Sequence, residues 1–335
     1  MARKIAVLFV HGIYNSSDDF HLPMKLRLQK ALPPGLRSYV DFEAAHWAPI
    51  VRRHQTAYMD KLIQGRLVDD NDYRRMALQG LGDAAAYQKT RNYKNSAYYE
   101  IQGVVRAAID RLDQRGEPDR PLVLIGHSLG CHILSTFAWD TYTMRRRMQD
   151  RQQDGDFQMQ EFASYLRDGS PFRRLETFAG FVTMGCNMPL FTFTFGPDRI
   201  IPITHARTPT EHPAFPGIGL AAEIKQRARW LNFYSRNDLL GYPLKPLNGA
   251  YAAEPRITDI PVVSEGIWRR ALTAPLPALA TSAAHTGYWT HGPVVRGTAQ
   301  LLADIITADE PTTPQIRKFF RGKKPNAKVA RAQPA

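Results

Sequence analysis

Short, unbroken apolar runs alternate along the chain with longer stretches in which apolar side chains recur every three to four residues. Lys4 to Val10 (KIAVLFV) and Pro121 to Ile125 (PLVLI) are runs of the first kind, apolar almost throughout, and predict strands buried on both faces. Phe178 to Met184, Trp230 to Tyr234 and Ile257 to Val263 continue the series, and Arg37 to Trp47 holds a further strand candidate. Between them, helical spacing is predicted from about Asp18 to Leu32, within Pro49 to Gln88, from Asn95 to Gln114, from Leu129 to Asp140 and from Val294 to Ile306. Parallel neighbours need crossover connections, and helices supply them. The expected fold class is therefore α/β, with a mainly parallel sheet of about six strands and helices on both faces.

Two connections break the rhythm. Met144 to Gly169 is strongly polar, with Arg145, Arg146 and Arg147 and the run DRQQDGD, and reads as a solvated excursion before the next strand. Residues 187–228 form the longest stretch with little helical signal, rich in proline and carrying Phe191, Phe193 and Phe195 in alternation. Irregular connections of that size commonly serve as lids or binding loops. The same alternation also suits a strand with one buried face.

Composition adds three constraints. A hydrophobic content of 44% over 335 residues is that of a globular chain with a full-sized core, and no second domain's pattern is visible. The expected organisation is one domain over 1–310 and a separate tail over 311–335. The formal net charge of +13 is lopsided. Pro311 to Ala335 carries Arg317, Lys318, Arg321, Lys323, Lys324, Lys328 and Arg331 and no acidic residue, the composition of a disordered basic tail able to contact anionic lipid or nucleic acid. Cys131 and Cys186 are too few for a disulfide framework and lie in no metal-ligand spacing, and no motif calls for a cofactor. The apolar run Ile5 to Val10 is too short for a secretory signal, and none approaches the roughly 18 residues of a membrane span, so a soluble, cytoplasmic protein is expected.

Candidate chemistry begins with Gly126-His127-Ser128-Leu129-Gly130, a G-x-S-x-G pattern that chance alone can produce. Its context gives it weight. PLVLI leads straight into the helical Leu129 to Asp140, the strand-to-helix turn that pushes a serine hydroxyl out above a sheet. A serine needs a base and an orienting acid, expected in the order Ser, acid, His. Asp238, in YSRNDLLGYPL just past a strand, is the chosen acid, with Asp259 inside RITDIPVV as runner-up. Of His285 and His291 in AHTGYWTHG, His285 is preferred as base because His291 abuts a helix start. The amide of Leu129 supplies one oxyanion donor, and the turn His11-Gly12-Ile13-Tyr14 supplies the other from Ile13 or Tyr14. Tyr14, His127 and Phe191 are candidate substrate contacts, His11 another pocket residue, and His205 and His212 fit ordinary surface positions.

With VHG, GHSLG, ND and HTGYW in this order, the chain resembles the α/β-hydrolase superfamily and, within it, the lipase-like serine esterases. The resemblance implies a nucleophile at Ser128, an acid at Asp238, a base at His285 and oxyanion donors at Ile13 and Leu129, acting on a small-molecule or lipid-like ester. A thioester, an amide or a non-catalytic binding role would use the same frame. VTMGCNMPLF resembles the segment lining the acyl side, with Cys186 where serine is commoner. Because the chain opens on the HG strand, the resemblance implies a reduced sheet lacking the first two strands of larger members. The long gap between the last strand and His285 is the other departure.

Overall fold

Six strands form one sheet: β1 (Ile5–Val10), β2 (Val40–Ala45), β3 (Leu122–His127), β4 (Phe178–Met184), β5 (Arg229–Ser235) and β6 (Ile257–Val262). Every pair is parallel, in the order β2-β1-β3-β4-β5-β6. The computed structural model describes residues 3–13, 17–89, 96–149, 157–193, 195–208, 211–263 and 284–309. Tyr14 and the basic tail therefore lie outside the described residues.

Strand pleating sorts the core into two layers. Ala6, Leu8 and Val10 of β1 and Leu122 and Leu124 of β3 point to one side, where they meet α4 (Ala97–Asp113) and α5 (Leu129–Gln149). Ile5, Val7 and Phe9, with Val123 and Ile125, point to the other, against α1 (Leu22–Ala31) and α10 (Gly292–Ala308). Both strands are fully buried, as wholly apolar runs require. Ser128 and Gly12 follow β3 and β1, the neighbours at which the strand order reverses, and such a switch point opens a crevice at the carboxyl ends.

The other α-helices among the described residues are α2 (Ala48–Gln64), α3 (Asp72–Ala86), α6 (Phe157–Arg167), α7 (Met188–Thr192), α8 (Ala222–Arg227) and α9 (Gly249–Ala253). The polar excursion expected after Met144 gives way to helix on both sides of DRQQDGD, which lies outside the described residues. Helix α5 runs on to Gln149 and α6 follows, burying Met144, Phe162 and Leu166. The Arg cluster is correspondingly engaged. Arg145, 15% exposed, donates to the Arg174 carbonyl at 3.2 Å, and Arg146 pairs with Glu211 at 2.8 Å. The Phe alternation after Cys186 is not a strand: α7 occupies it, with Phe193 and Phe195 exposed. Much of 201–227 packs inward through Ile203, Phe215, Leu220 and Ile224. Both cysteines are buried and reduced, and burial pushes the Cys131 thiol well above its ordinary pKa, so it stays protonated. Among the described residues no helix is long and apolar enough to cross a membrane.

Candidate active site

Ser128 occupies the junction between β3 and α5 with φ 51°, a left-handed conformation rare for a residue with a side chain. The turn is fixed on several sides. The Ser128 amide donates to the Met184 carbonyl at 2.9 Å, and a β-carbon on Gly130 would stand 2.3 Å from the Val10 carbonyl oxygen. Only glycine lets α5 approach β1 that closely. A β-carbon on Gly12 would meet Ser128 Cβ at 2.5 Å, which puts the His11-Gly12 turn directly against the serine.

Asp238 and His285 come together as the sequence suggests. Nδ1 of His285 lies 2.8 Å from Asp238 Oδ1 and 3.0 Å from Oδ2, with both residues buried. Asp238 also accepts from the Leu240 amide at 2.9 Å and the Tyr288 hydroxyl at 2.8 Å. Burial raises its pKa, but the His285 contact and these donors win and hold the carboxyl below its usual value. With Nδ1 engaged on the acid, His285 Nε2 is the nitrogen left to accept a proton. Neither it nor Ser128 Oγ has a hydrogen-bond partner among the described residues. The serine–histidine bond is thus not closed in this structure, as is common before substrate arrives.

Two further histidines act as braces. His127 Nε2 donates to the backbone carbonyl of His285 at 2.6 Å, tying the residue before the serine to the main chain of the base. A carbonyl only accepts, so Nε2 carries the proton. Burial, with the nearby His285, pulls the His127 pKa down to about 3, which keeps the ring neutral. His11 Nε2 accepts from the Trp47 and Ala48 amides at 3.1 and 3.4 Å, and its Nδ1 donates to the Gly12 carbonyl at 2.7 Å. Its ring caps the start of α2 and fixes the Gly12 turn, stacked on Trp47 with centroids 4.8 Å apart. Burial pulls the His11 pKa to about 3 as well.

The other candidates sort as follows. Leu129, buried, is the first residue of α5, where an amide has no intrahelical acceptor. Ile13 extends toward α3, where a β-carbon on Gly80 would be 3.3 Å from its Cδ1. Phe191 stacks on His132 of α5 at 4.2 Å, one turn beyond the serine. Asp259 is committed elsewhere, accepting from the Leu244 and Lys245 amides and from Asn232 Nδ2. His291 is the residue before α10, His205 faces Glu254 at 3.4 Å, and His212 is exposed. Tyr288 is the contact that sequence reading missed. Its one available signal was its place one helical turn after His285. Gly185, with φ 55°, was missed too: a β-carbon there would crowd Asp238 Oδ2 at 2.9 Å. Among the described residues no group of three or more His, Cys, Asp or Glu side chains is placed to hold a metal.

No curated protein matches the chain. Among solved structures it is similar to a novel cutinase-like protein from Cryptococcus sp., with 9% identity and a TM-score of 0.28 over 84% of this chain and 91% of that one. Residues 7–332 match the model of the alpha/beta hydrolase family. With its six-stranded parallel sheet, the chain belongs to the α/β-hydrolase family.

Proposed function

We propose that the protein is a serine hydrolase that cleaves carboxylic esters through an acyl-enzyme. Ser128 is the nucleophile, His285 the base and Asp238 the group that orients it. The carrying observation is the Asp238–His285 pair, closed at 2.8 Å and tied through the His285 carbonyl to His127, the residue before a serine held at φ 51° on the strand-to-helix turn. In this reading His285 Nε2 takes the hydroxyl proton as Ser128 Oγ attacks the ester carbonyl. Asp238 stabilises the imidazolium that forms, and the amides of Leu129 and Ile13 receive the oxyanion. The imidazolium then protonates the departing alcohol, and the neutral ring activates water against the acyl-enzyme.

An apolar acyl group is the substrate feature best supported. Leu190, Phe193, Phe195 and Leu239 are large exposed apolar residues on the connections leaving the carboxyl ends of β4 and β5, and Phe191 of α7 stacks on His132 of α5. Isolated exposed leucines are unremarkable, but two exposed phenylalanines on a connection that leaves the same sheet ends as the serine suit contact with an apolar group. The decisive experiment is labelling with a fluorophosphonate probe followed by peptide mapping. Modification of Ser128, absent in Ser128→Ala, supports the reading; a folded wild type that takes no label favours a binding module on the same frame. Turnover of p-nitrophenyl esters that rises with chain length supports the acyl preference, and a flat series sinks it.

A further inference from the structure

Tyr288 is fully buried and lies three residues after His285, so one helical turn brings its side chain back to the acid. Its hydroxyl donates to Asp238 Oδ2 at 2.8 Å and accepts from the Ser235 amide at the end of β5, also at 2.8 Å. The oxygen it holds is one of the two that face His285 Nδ1, at 3.0 Å. We propose that Tyr288 is a positioning residue that sets how much of the Asp238 charge His285 experiences, by competing with the imidazole for one carboxylate oxygen. The proposal deepens the serine-hydrolase reading and rests on it for its catalytic meaning.

The physical case is a competition for one charge. A carboxylate divides its negative charge among its donors, and each added donor leaves less to stabilise a neighbouring cation. Asp238 has three: the imidazole, the Leu240 amide and the phenol. The amide belongs to the chain's own turn and cannot be changed by substitution, whereas the phenol can. With the phenol in place His285 is a weaker base than a bare aspartate would make it. The Ser235 amide, donating to the same hydroxyl, helps hold the phenol against the carboxylate.

Among the described residues, the groups around His285 come from three places. Asp238 comes from the connection after β5, Tyr288 from the turn that carries His285 itself, and His127 from the end of β3, directly before Ser128. The His127 ring centroid is 4.9 Å from that of His285 and 6.0 Å from that of Tyr288. His127 holds no charge near neutrality, its pKa being drawn to about 3 by burial and by His285, so it does not confound the titration. A merely structural tyrosine would change stability and leave the histidine's proton affinity alone.

The test is an NMR titration of the His285 imidazole, assigned with His285→Gln, in the full chain. In Tyr288→Phe the lost donor should raise the His285 pKa by about half a unit or more, and the acid limb of kcat/KM should move up with it. Replacement of Tyr288 by 3-fluorotyrosine, a more acidic phenol and a stronger donor, should move both the other way. This second variant decides the matter if Tyr288→Phe does not fold. An unchanged His285 titration in the variants, or a shift of the same sign in both, overturns the proposal. Opposite shifts in a protein that takes no fluorophosphonate label would uphold Tyr288's influence on His285 while refuting the serine-hydrolase reading.

Discussion

Ser128 combines three costs in one residue: a left-handed backbone, complete burial and a hydroxyl with no partner among the described residues. Backbone strain of this kind is worth on the order of 1–3 kcal/mol and persists only where the surroundings enforce it. Ser128→Gly should relieve the backbone and the hydroxyl together, whereas Ser128→Ala relieves only the hydroxyl. Glycine at 128 is therefore expected to be the more stable of two inactive variants, by about 1 kcal/mol in urea unfolding. Equal midpoints would show that the turn stores no strain. The sequence singled out Ser128 by its glycines and Asp238 by its place after a strand, and the structure places Ser128 directly after β3 and Asp238 just past β5. His285 was legible only through its order after them. Tyr288 was not, because a phenol among apolar neighbours reads as core until the carboxylate beside it is known.

At the scale of elements, the question of which aspartate serves the histidine turns on where each sits relative to a strand end. Asp238 lies past the end of β5, and Asp259 lies within β6, paired in register with Asn232. From there it collects the amides of Leu244 and Lys245 and pins the connection after β5 against the sheet. Asp259→Ala leaves those amides and Asn232 Nδ2 without that acceptor, at a cost of about 1–3 kcal/mol. Thermal melting should show the loss, while turnover per folded molecule, measured well below the transition, should stay within a few-fold of wild type. Asp238→Asn should do the reverse, lowering kcat by about 10²- to 10⁴-fold with a smaller effect on stability. Strands of continuous apolar residues were located in the sequence to within a residue or two. The far half of α5 and all of α6 were not, because Arg145, Arg146 and their polar neighbours hide an apolar face made of few, widely spaced residues. Arg146 there pairs with Glu211, distant in sequence, a contact that no local pattern reports.

For the molecule as a whole, the buried imidazoles set the response to acid. A histidine in an unfolded chain titrates near 6.5. Burial draws His11 and His127 down to about 3, and His132, under the Phe191 ring, to about 4. Between those values and 6.5 the unfolded chain binds protons at all three positions and the folded chain does not, so stability falls as pH falls. Their stabilisation is complete above pH 6.5 and is lost as the pH drops toward the folded values. Each adds a slope of about 1.4 kcal/mol per pH unit, up to about 4 for the three together, against a total stability of roughly 5–15 kcal/mol. Burial shifts His21 and His46 in the same direction. Asp238, whose carboxyl is depressed, loses its contribution only at lower pH, and Asp309, raised by burial, works against the trend. Urea midpoints should therefore begin to drop just below pH 6.5, before carboxylates titrate. His132→Phe keeps an aromatic partner for Phe191 and removes one titrating group, so between pH 6.5 and 4 it should flatten the decline by about 1.4 kcal/mol per unit. Stability that holds level down to pH 4.5 and then collapses would place the acid response on the carboxylates instead.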